Sequence, residues 1–192
     1  MSIIYEIGKM QSLINTDALL DECIVVATSS VSEAGYSAAD ELKILKNYRD
    51  NLDLSIVLAR DDAASNLLVG TFGYGDLSQF PTCTRDWLGE EGVQWTNPML
   101  DAIIAKGIDP ANVDTAAAIY VRADYKNQNI GTTMMGKRAT AQVARGITHA
   151  VSFLYETDEI KTWSASRTSA EAMGTDGFNN NIYLFNLSQL TA

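Results

Sequence analysis

The chain has one histidine, two cysteines and three prolines in 192 residues. With a single histidine and no Cys-x-x-Cys pair there is no ligand set of zinc spacing, so the sequence predicts no metal. Cys23 and Cys83 are expected as buried free thiols. Basic residues are also scarce. Fourteen Lys and Arg stand against 24 Asp and Glu, for a net charge of −10 and an isoelectric point near 4.4. That balance gives no general attraction to nucleic acid or to an anionic membrane surface. It serves solubility alone, or it favours cationic partners such as amines. No apolar run reaches the length of a membrane span. The opening MSIIYEIGKMQSLIN lacks the basic segment and apolar core of a signal peptide. These absences lead to the expectation of a cytoplasmic protein.

What remains is globular: 46% of residues are hydrophobic and 20% charged. The length suits one domain, residues 1–192, with a core of its own. SIIYEIG, from Ser2, reads as a first strand. TDALLDECIVVATSS reads as a helix with Thr16 as N-cap and Leu20, Ile24 and Ala27 on one face. A second helix starts at Ser37, where Ser37 and Asp40 form an acidic variant of the capping box; Leu42, Leu45 and Tyr48 give its stripe. LSIVLARD and LLVGTFGYG are strands joined by the polar turn DAASN, a hairpin.

The segment from Asp76 to Asn112 is too long for a hairpin loop. It carries Trp87, Trp95 and the acidic residues Asp86, Glu90 and Glu91. It also carries a helix with Asn97 as N-cap, Pro98 at the first position and Lys106-Gly107 at the end. It reads as a lid that shapes a substrate site, or as a packing embellishment, or as a contact between two copies in a homodimer. Further on, ITHAVSFLY is a strand, Ser164 to Met173 a short helix stopped by Gly174, and NIYLFNL a last strand. The fold class is α/β of the α+β type, one domain around a mixed sheet.

The stretch from Thr115 to Gly146 is the most informative. TAAAIYV is β-compatible, RADYKNQNIGTT is a polar turn, and MMGKRATAQVARG is helical, with Met135, Ala139 and Val143 on one face. Arg145 falls in the last turn and Gly146 follows as the C′ cap. A strand that passes through a tight turn into a helix N-terminus gathers unpaired backbone N–H groups in a small space, an arrangement suited to anions and to phosphates above all.

The run IYVRADYKNQNIGTTMM, Ile119 to Met135, resembles motif A of the GNAT acetyltransferases. In that family a strand with an apolar–x–Val triplet leads through an acidic–aromatic step to a Gln/Arg-x-x-Gly-x-Gly/Ala turn that holds the pyrophosphate of acetyl-CoA. Val121 closes the triplet, and Asp124-Tyr125 form the step. Lys126, Asn129 and Gly131 fall on the turn positions, with Lys126 replacing Gln or Arg and Asn129 replacing glycine. Asn127 also stands where glycine is frequent. Asparagine is the next residue after glycine to accept positive φ. Ile130 matches the buried position between the glycines.

The resemblance implies a mostly antiparallel central sheet flanked by helices, with a long insertion before motif A at about 76–112. It implies acetyl-CoA as co-substrate and a small-molecule or peptide amine as acceptor. Backbone atoms of Ile119, Val121 and Ala123 would hold pantetheine and the thioester. Lys126, Asn127, Gln128, Asn129, Ile130, Gly131 and Thr132 would surround the pyrophosphate. The family's second landmark is matched by SRTSAEAMGTDGF, where Gly177-Phe178 fits, Ser166 replaces an asparagine and Met173 replaces a tyrosine that serves as general acid. A thioether has no proton to give, so Tyr183 or water would take that part. His149 in the strand after motif A and Asp76 after FGYG are candidate bases, each weighed against a structural role. Asp114 is a weaker candidate, and Tyr74 is either a pocket or a core residue. Two function classes follow: a CoA-dependent N-acetyltransferase, or a catalytically inactive GNAT-fold protein that binds or assembles. An unrelated nucleotide-binding protein ranks last, because no P-loop or GxGxxG follows a strand.

Overall fold

The structure is a computed structural model that describes residues 2–30, 38–51, 53–80, 90–154, 170–175 and 181–190. The elements there are β1 (Ile3–Lys9), α1 (Met10–Leu13), α2 (Asp17–Ser30), α3 (Ala38–Asn51), β2 (Ser55–Asp61), β3 (Leu67–Asp76), α4 (Glu90–Ala105), β4 (Val113–Val121), α5 (Ile130–Ala144), β5 (His149–Leu154), β6 (Ala170–Thr175) and β7 (Asn181–Asn186). The strands are hydrogen-bonded in the order β1-β2-β3-β4-β5-β7-β6. β4 and β5 run parallel, while β1/β2, β2/β3, β5/β7 and β6/β7 are antiparallel. This is the mixed, mostly antiparallel sheet with helices that the sequence implied. The chain divides into two compact units, one of Met1–Gly75 with Ala117–Arg138, the other of Asp76–Ala116 with Ala139–Thr191.

In the first unit β1 is an edge strand with four of its seven residues exposed, whereas β2 is buried from Ile56 to Asp61. A near-continuous apolar run belongs in a strand covered on both faces. The hairpin forms as expected, with Asp61 opposite Leu67. Its turn contains a 3-10 segment, Asp62–Ala64, and then Ser65 and Asn66 at φ 57° and 63°. On α2, Thr16 Oγ1 accepts the Leu19 N–H at 3.3 Å, the expected N-cap bond. Leu20, Ile24 and Ala27 form the buried face, joined by Cys23 and Val26. α3 begins at Ala38, and the proposed cap Ser37 lies outside the described residues. Its stripe is shorter than expected: Leu45 and Tyr48 are buried, but Leu42 is exposed.

The first turns of α5 lie on β3 because Gly70 has no side chain. A Cβ there would come within 3.1 Å of Met134 Cε and 3.2 Å of Ile130 Cγ2. Such contacts are tighter than side chains tolerate without yielding. Further along α5, the buried Arg138 places its guanidinium 5.1 Å from the Phe72 ring and 5.8 Å from the Tyr74 ring. Tyr74 is therefore a core residue. Val143 is exposed, so the buried face of α5 is Ile130, Met134, Met135, Arg138, Ala139 and Gln142 rather than the stripe through Val143.

The second unit corrects two expectations. α4 does not start at Asn97-Pro98. It runs from Glu90, with Pro98 inside. Proline removes one N–H and crowds the carbonyl four residues back. Here that carbonyl belongs to Gln94, an exposed residue, so water can replace the lost donor. Glu90, Glu91 and Trp95 thus fall on a helix, while Asp86 and Trp87 lie outside the described residues. The helix stops where expected. Gly107 takes φ +72°, its N–H donates to Ile104 O, and the Ile108 N–H donates to Ile103 O. Gly146, at φ +86°, ends α5 with the same pair of bonds to Val143 and Gln142.

The second correction concerns the expected helix Ser164–Met173. Ala170–Thr175 is a strand paired with β7, and residues 164–169 lie outside the described set. The register shifts between Ala172 and Gly174, and Gly174 has φ +116°. The glycine therefore marks a bulge, not a helix stop. Helix-forming Ala, Glu and Met yield to the neighbouring strand, whose ladder supplies the hydrogen bonds.

The β5–β7 pair is apolar on both faces. Val151, Ile182 and Leu184 pack with Met99 and Ile103 of α4, and Ala150 and Phe185 pack with Ala139 of α5. Among the described residues no helix is long and apolar enough to cross a membrane.

Candidate functional site

The turn between β4 and α5 is built by local chemistry. Val121 ends β4, and the Arg122 N–H donates to Val69 O on β3 at 2.9 Å. One 3-10 turn follows, Ala123–Tyr125, and then Lys126 in an extended conformation. Asn127 and Asn129 take φ +63° and +61°. Each L-residue there costs roughly 1–2 kcal/mol, least for asparagine, so the chain accepts strain at both positions. The Asn129 carbonyl receives the Thr133 N–H and hydroxyl, each at 2.9 Å, and starts α5. A helix N-terminus presents its backbone N–H groups outward and carries the positive end of the helix dipole.

Lys126, Asn127, Gln128, Asn129 and Thr132 are exposed, while Ile130 is buried beneath them. Ile119 is exposed on β4, Val121 is half-buried, and Ala123 is exposed at the start of the 3-10 turn. Gly131 sits beside Ile119 and Val121, where an added Cβ would meet Ile119 Cδ1 at 3.7 Å and Val121 Cγ2 at 3.8 Å. A methyl group fits there, but a branched side chain would extend past the mouth of the helix. An open N-terminal turn, a positive dipole end and an exposed lysine form a place for an anion.

The sequence reading missed what braces this turn. Tyr125 Oη donates to Asp61 Oδ2 at 3.0 Å, and Asp61 is buried at the end of β2. The other carboxylate oxygen accepts the Ala63 N–H at 3.1 Å in the hairpin turn. The hydrogen bond to Asp61, helped by partial desolvation, raises the Tyr125 phenol above its ordinary pKa. The only hint in the sequence is the acidic pair of ARDDAASN, which signals a turn and no more. A second brace joins Arg122 to Asp124 at 3.4 Å, with Gln128 Nε2 donating to the Asp124 carbonyl at 3.4 Å.

The candidate proton-handling residues all lie in the second unit. Asp76 ends β3, with Arg145 Nη2 3.9 Å from Oδ1 and Gln79 Nε2 3.5 Å from Oδ2. Arg145 also donates to Oε1 of the buried Gln142 at 2.8 Å, so Asp76 belongs to a polar cluster at the end of α5. His149 opens β5, with Nδ1 2.7 Å from Thr148 Oγ1. Tyr183 is half-buried on β7 opposite Ser152, its ring 6.5 Å from that of Phe185. His149 and Ser152 are three residues apart on one strand, which places them on opposite faces. His149 and Tyr183 are therefore not brought together. Asp114 is fully buried on β4 opposite Ala150. Met173 is half-buried against the core on the α4 side, a packing role for a side chain that can give no proton. Ser166 and Gly177-Phe178 lie outside the described residues.

Among the described residues no group of three or more His, Cys, Asp or Glu side chains is placed to hold a metal ion. No family profile and no curated protein matches the chain. Solved structures do. The mosquito protein arylalkylamine N-acetyltransferase like 5b superposes with a TM-score of 0.64 at 12% identity over 96% of this chain and 100% of its own. The protein named SsHAT gives 0.64 at 15% identity over 97% of this chain and 99% of its own. The PaiA N-acetyltransferase of Thermoplasma acidophilum, solved in complex with coenzyme A, gives 0.57 at 14% identity over 97% and 99%. Strand order, turn and whole-chain superposition agree: this chain has the fold of the GNAT N-acetyltransferases.

Proposed function

We propose that the protein is a CoA-dependent N-acyltransferase that moves an acetyl group from acetyl-CoA to an amine. The observation that carries this reading is the Lys126–Thr132 turn, with its two left-handed asparagines opening onto the first turn of α5 beside Gly131. The pyrophosphate lies on that turn, and backbone atoms of Ile119, Val121 and Ala123 receive the pantetheine arm and thioester. A structural neighbour holds coenzyme A, which supports the choice of ligand.

The amine nitrogen attacks the thioester carbonyl carbon, the carbon–sulfur bond breaks, and the thiolate takes up a proton while the new amide loses one. Orientation of the two reactants supplies most of the acceleration, because the thioester is already activated. Asp76 and His149 are the candidates to accept the amine proton, and Tyr183 or water the candidate to protonate sulfur. Since His149 and Tyr183 lie on opposite faces of the β5–β7 pair, they do not form one relay. The charge of −10 favours a cationic acceptor over nucleic acid or an anionic membrane as partner.

A second reading, a GNAT-fold binding or assembly protein without turnover, draws on Met173, whose packing role leaves that position without a general acid. Calorimetric titration with acetyl-CoA, followed by release of free thiol in the presence of a panel of amines, separates the two. Binding with turnover supports the transferase. Binding without turnover on every amine supports the second reading, and no binding overturns the transferase and leaves assembly without CoA.

A further inference from the structure

Asp61 is a carboxylate on the hairpin, outside the segment that resembles motif A, yet it has one oxygen in each of two turns. Oδ1 takes the Ala63 N–H at 3.1 Å and Oδ2 the Tyr125 hydroxyl at 3.0 Å. Asp61 is only 6% exposed, so its position is fixed by packing rather than by solvent. Tyr125 is the last residue before the four-residue stretch that holds both left-handed asparagines. A stretch with two residues in a sparsely populated backbone region keeps its shape only where neighbours over-determine it. Asn127 and Asn129 are exposed, and so are Lys126 and Gln128 between and before them. Inside the stretch Gln128 Nε2 reaches the Asp124 carbonyl at 3.4 Å, and the rest of the support comes from the flanks. Ile130, the buried first residue of α5, holds one end. The Arg122 N–H to Val69 O bond and the Tyr125 hydroxyl to Asp61 bond hold the other.

We propose that Tyr125 and Asp61 are positioning residues: their hydrogen bond fastens the β4–α5 turn to the β2–β3 hairpin in the shape that receives the pyrophosphate. The inference rests on the proposed CoA site but makes a separate claim about the free protein. A ligand that binds only the shaped turn has an apparent affinity reduced by the fraction of molecules in which the turn is shaped. Releasing the tether lowers that fraction before any ligand is added. A phenol is protonated throughout the neutral range, so Tyr125 stays a donor there.

The test is Tyr125→Phe, which removes one oxygen and leaves the ring. Hydrogen exchange of the free protein is compared at the amides of residues 126–132 and of β3, and binding of CoA is compared with that of pantetheine, which lacks the pyrophosphate. The tether predicts exchange roughly tenfold faster in the turn, unchanged exchange in β3, CoA affinity roughly tenfold weaker and pantetheine affinity unchanged. Unchanged exchange in the turn overturns the proposal. So does an equal loss for CoA and pantetheine, which would mark a general structural role. If the wild-type protein takes no CoA, the CoA reading falls while the exchange arm still decides the tether.

Discussion

Two turns in the first unit put residues with side chains where glycine is at ease, and they do it differently. In the hairpin, Ser65 and Asn66 follow one another at φ 57° and 63°. Consecutive left-handed residues reverse the chain between antiparallel strands. The groups around them are spent inside the fold: Asp61 caps Ala63, and Arg60 Nη1 donates to the Asn66 carbonyl at 3.1 Å. Between β4 and α5, Asn127 and Asn129 instead alternate with Gln128, and the chain turns directly into the N-terminus of α5. The backbone strain is alike in the two places. One turn closes on itself, and the other runs into a helix N-terminus, where the proposed pyrophosphate site lies.

The sharpest way to break this comparison is Gly131→Val, for which the hairpin has no counterpart. A methyl at this position meets Ile119 and Val121 at ordinary contact distance, so the fold survives, but the branches fill the mouth of α5. CoA affinity should fall by about a hundredfold or more, with a stability change of about 1 kcal/mol at most. Calorimetry and a thermal melt check both halves, and an unchanged affinity in a folded variant would sink the proposed site.

Next in size is a matched pair, Asn66→Ala and Asn129→Ala. Each should destabilise the protein by about 1 kcal/mol, because alanine tolerates the left-handed region less well than asparagine. Only Asn129→Ala should also weaken CoA. Equal effects on CoA from both would erase the distinction between the turns.

Cys23 offers a reporter for the hairpin side. Burial pushes its thiol up to about 12, against the lowering influence of nearby Arg60, the residue that also holds the Asn66 carbonyl. In a Cys83→Ser background, native Cys23 should resist alkylation at mildly alkaline pH and react only through unfolding. Asn66→Ala should then raise its labelling rate about fivefold, the factor that 1 kcal/mol implies. Fast labelling of the unmodified fold would contradict the burial.

The smallest effect is the pH dependence of the Tyr125 tether. The folded phenol pKa lies above its unfolded value, so the bond's contribution is complete below the unfolded value and disappears as pH rises through the folded one. The melting difference between the wild type and Tyr125→Phe should hold constant across neutral pH and vanish in strong alkali. A difference that varies near neutrality would point to another titrating group.

Much of this was legible in the sequence where the determinant is local. Thr16 as a cap, Gly107 and Gly146 as helix stops, and asparagines 127 and 129 standing in for glycine all follow from one residue's own backbone preference. The errors came where a partner decides. AEAMGT is helix-forming by composition but becomes β6 because β7 offers a ladder. Pro98 is an ideal first residue for a helix, yet α4 had already formed around it. Leu42 and Val143 sit at helical spacing but have no core opposite them. The Asp61–Tyr125 bond spans 64 residues, and no spacing rule reaches that far.

The parallel pairing of β4 with β5 also has a consequence for the order of folding. Val113 meets His149 and Thr115 meets Val151 only after the whole intervening turn and α5 have been threaded back along the sheet. A hairpin such as β2–β3 closes in about 1–10 μs, whereas a parallel crossover must lose its loop entropy before any contact rewards it. The β2–β3 hairpin, which carries Asp61, is therefore expected to form before β4 pairs with β5.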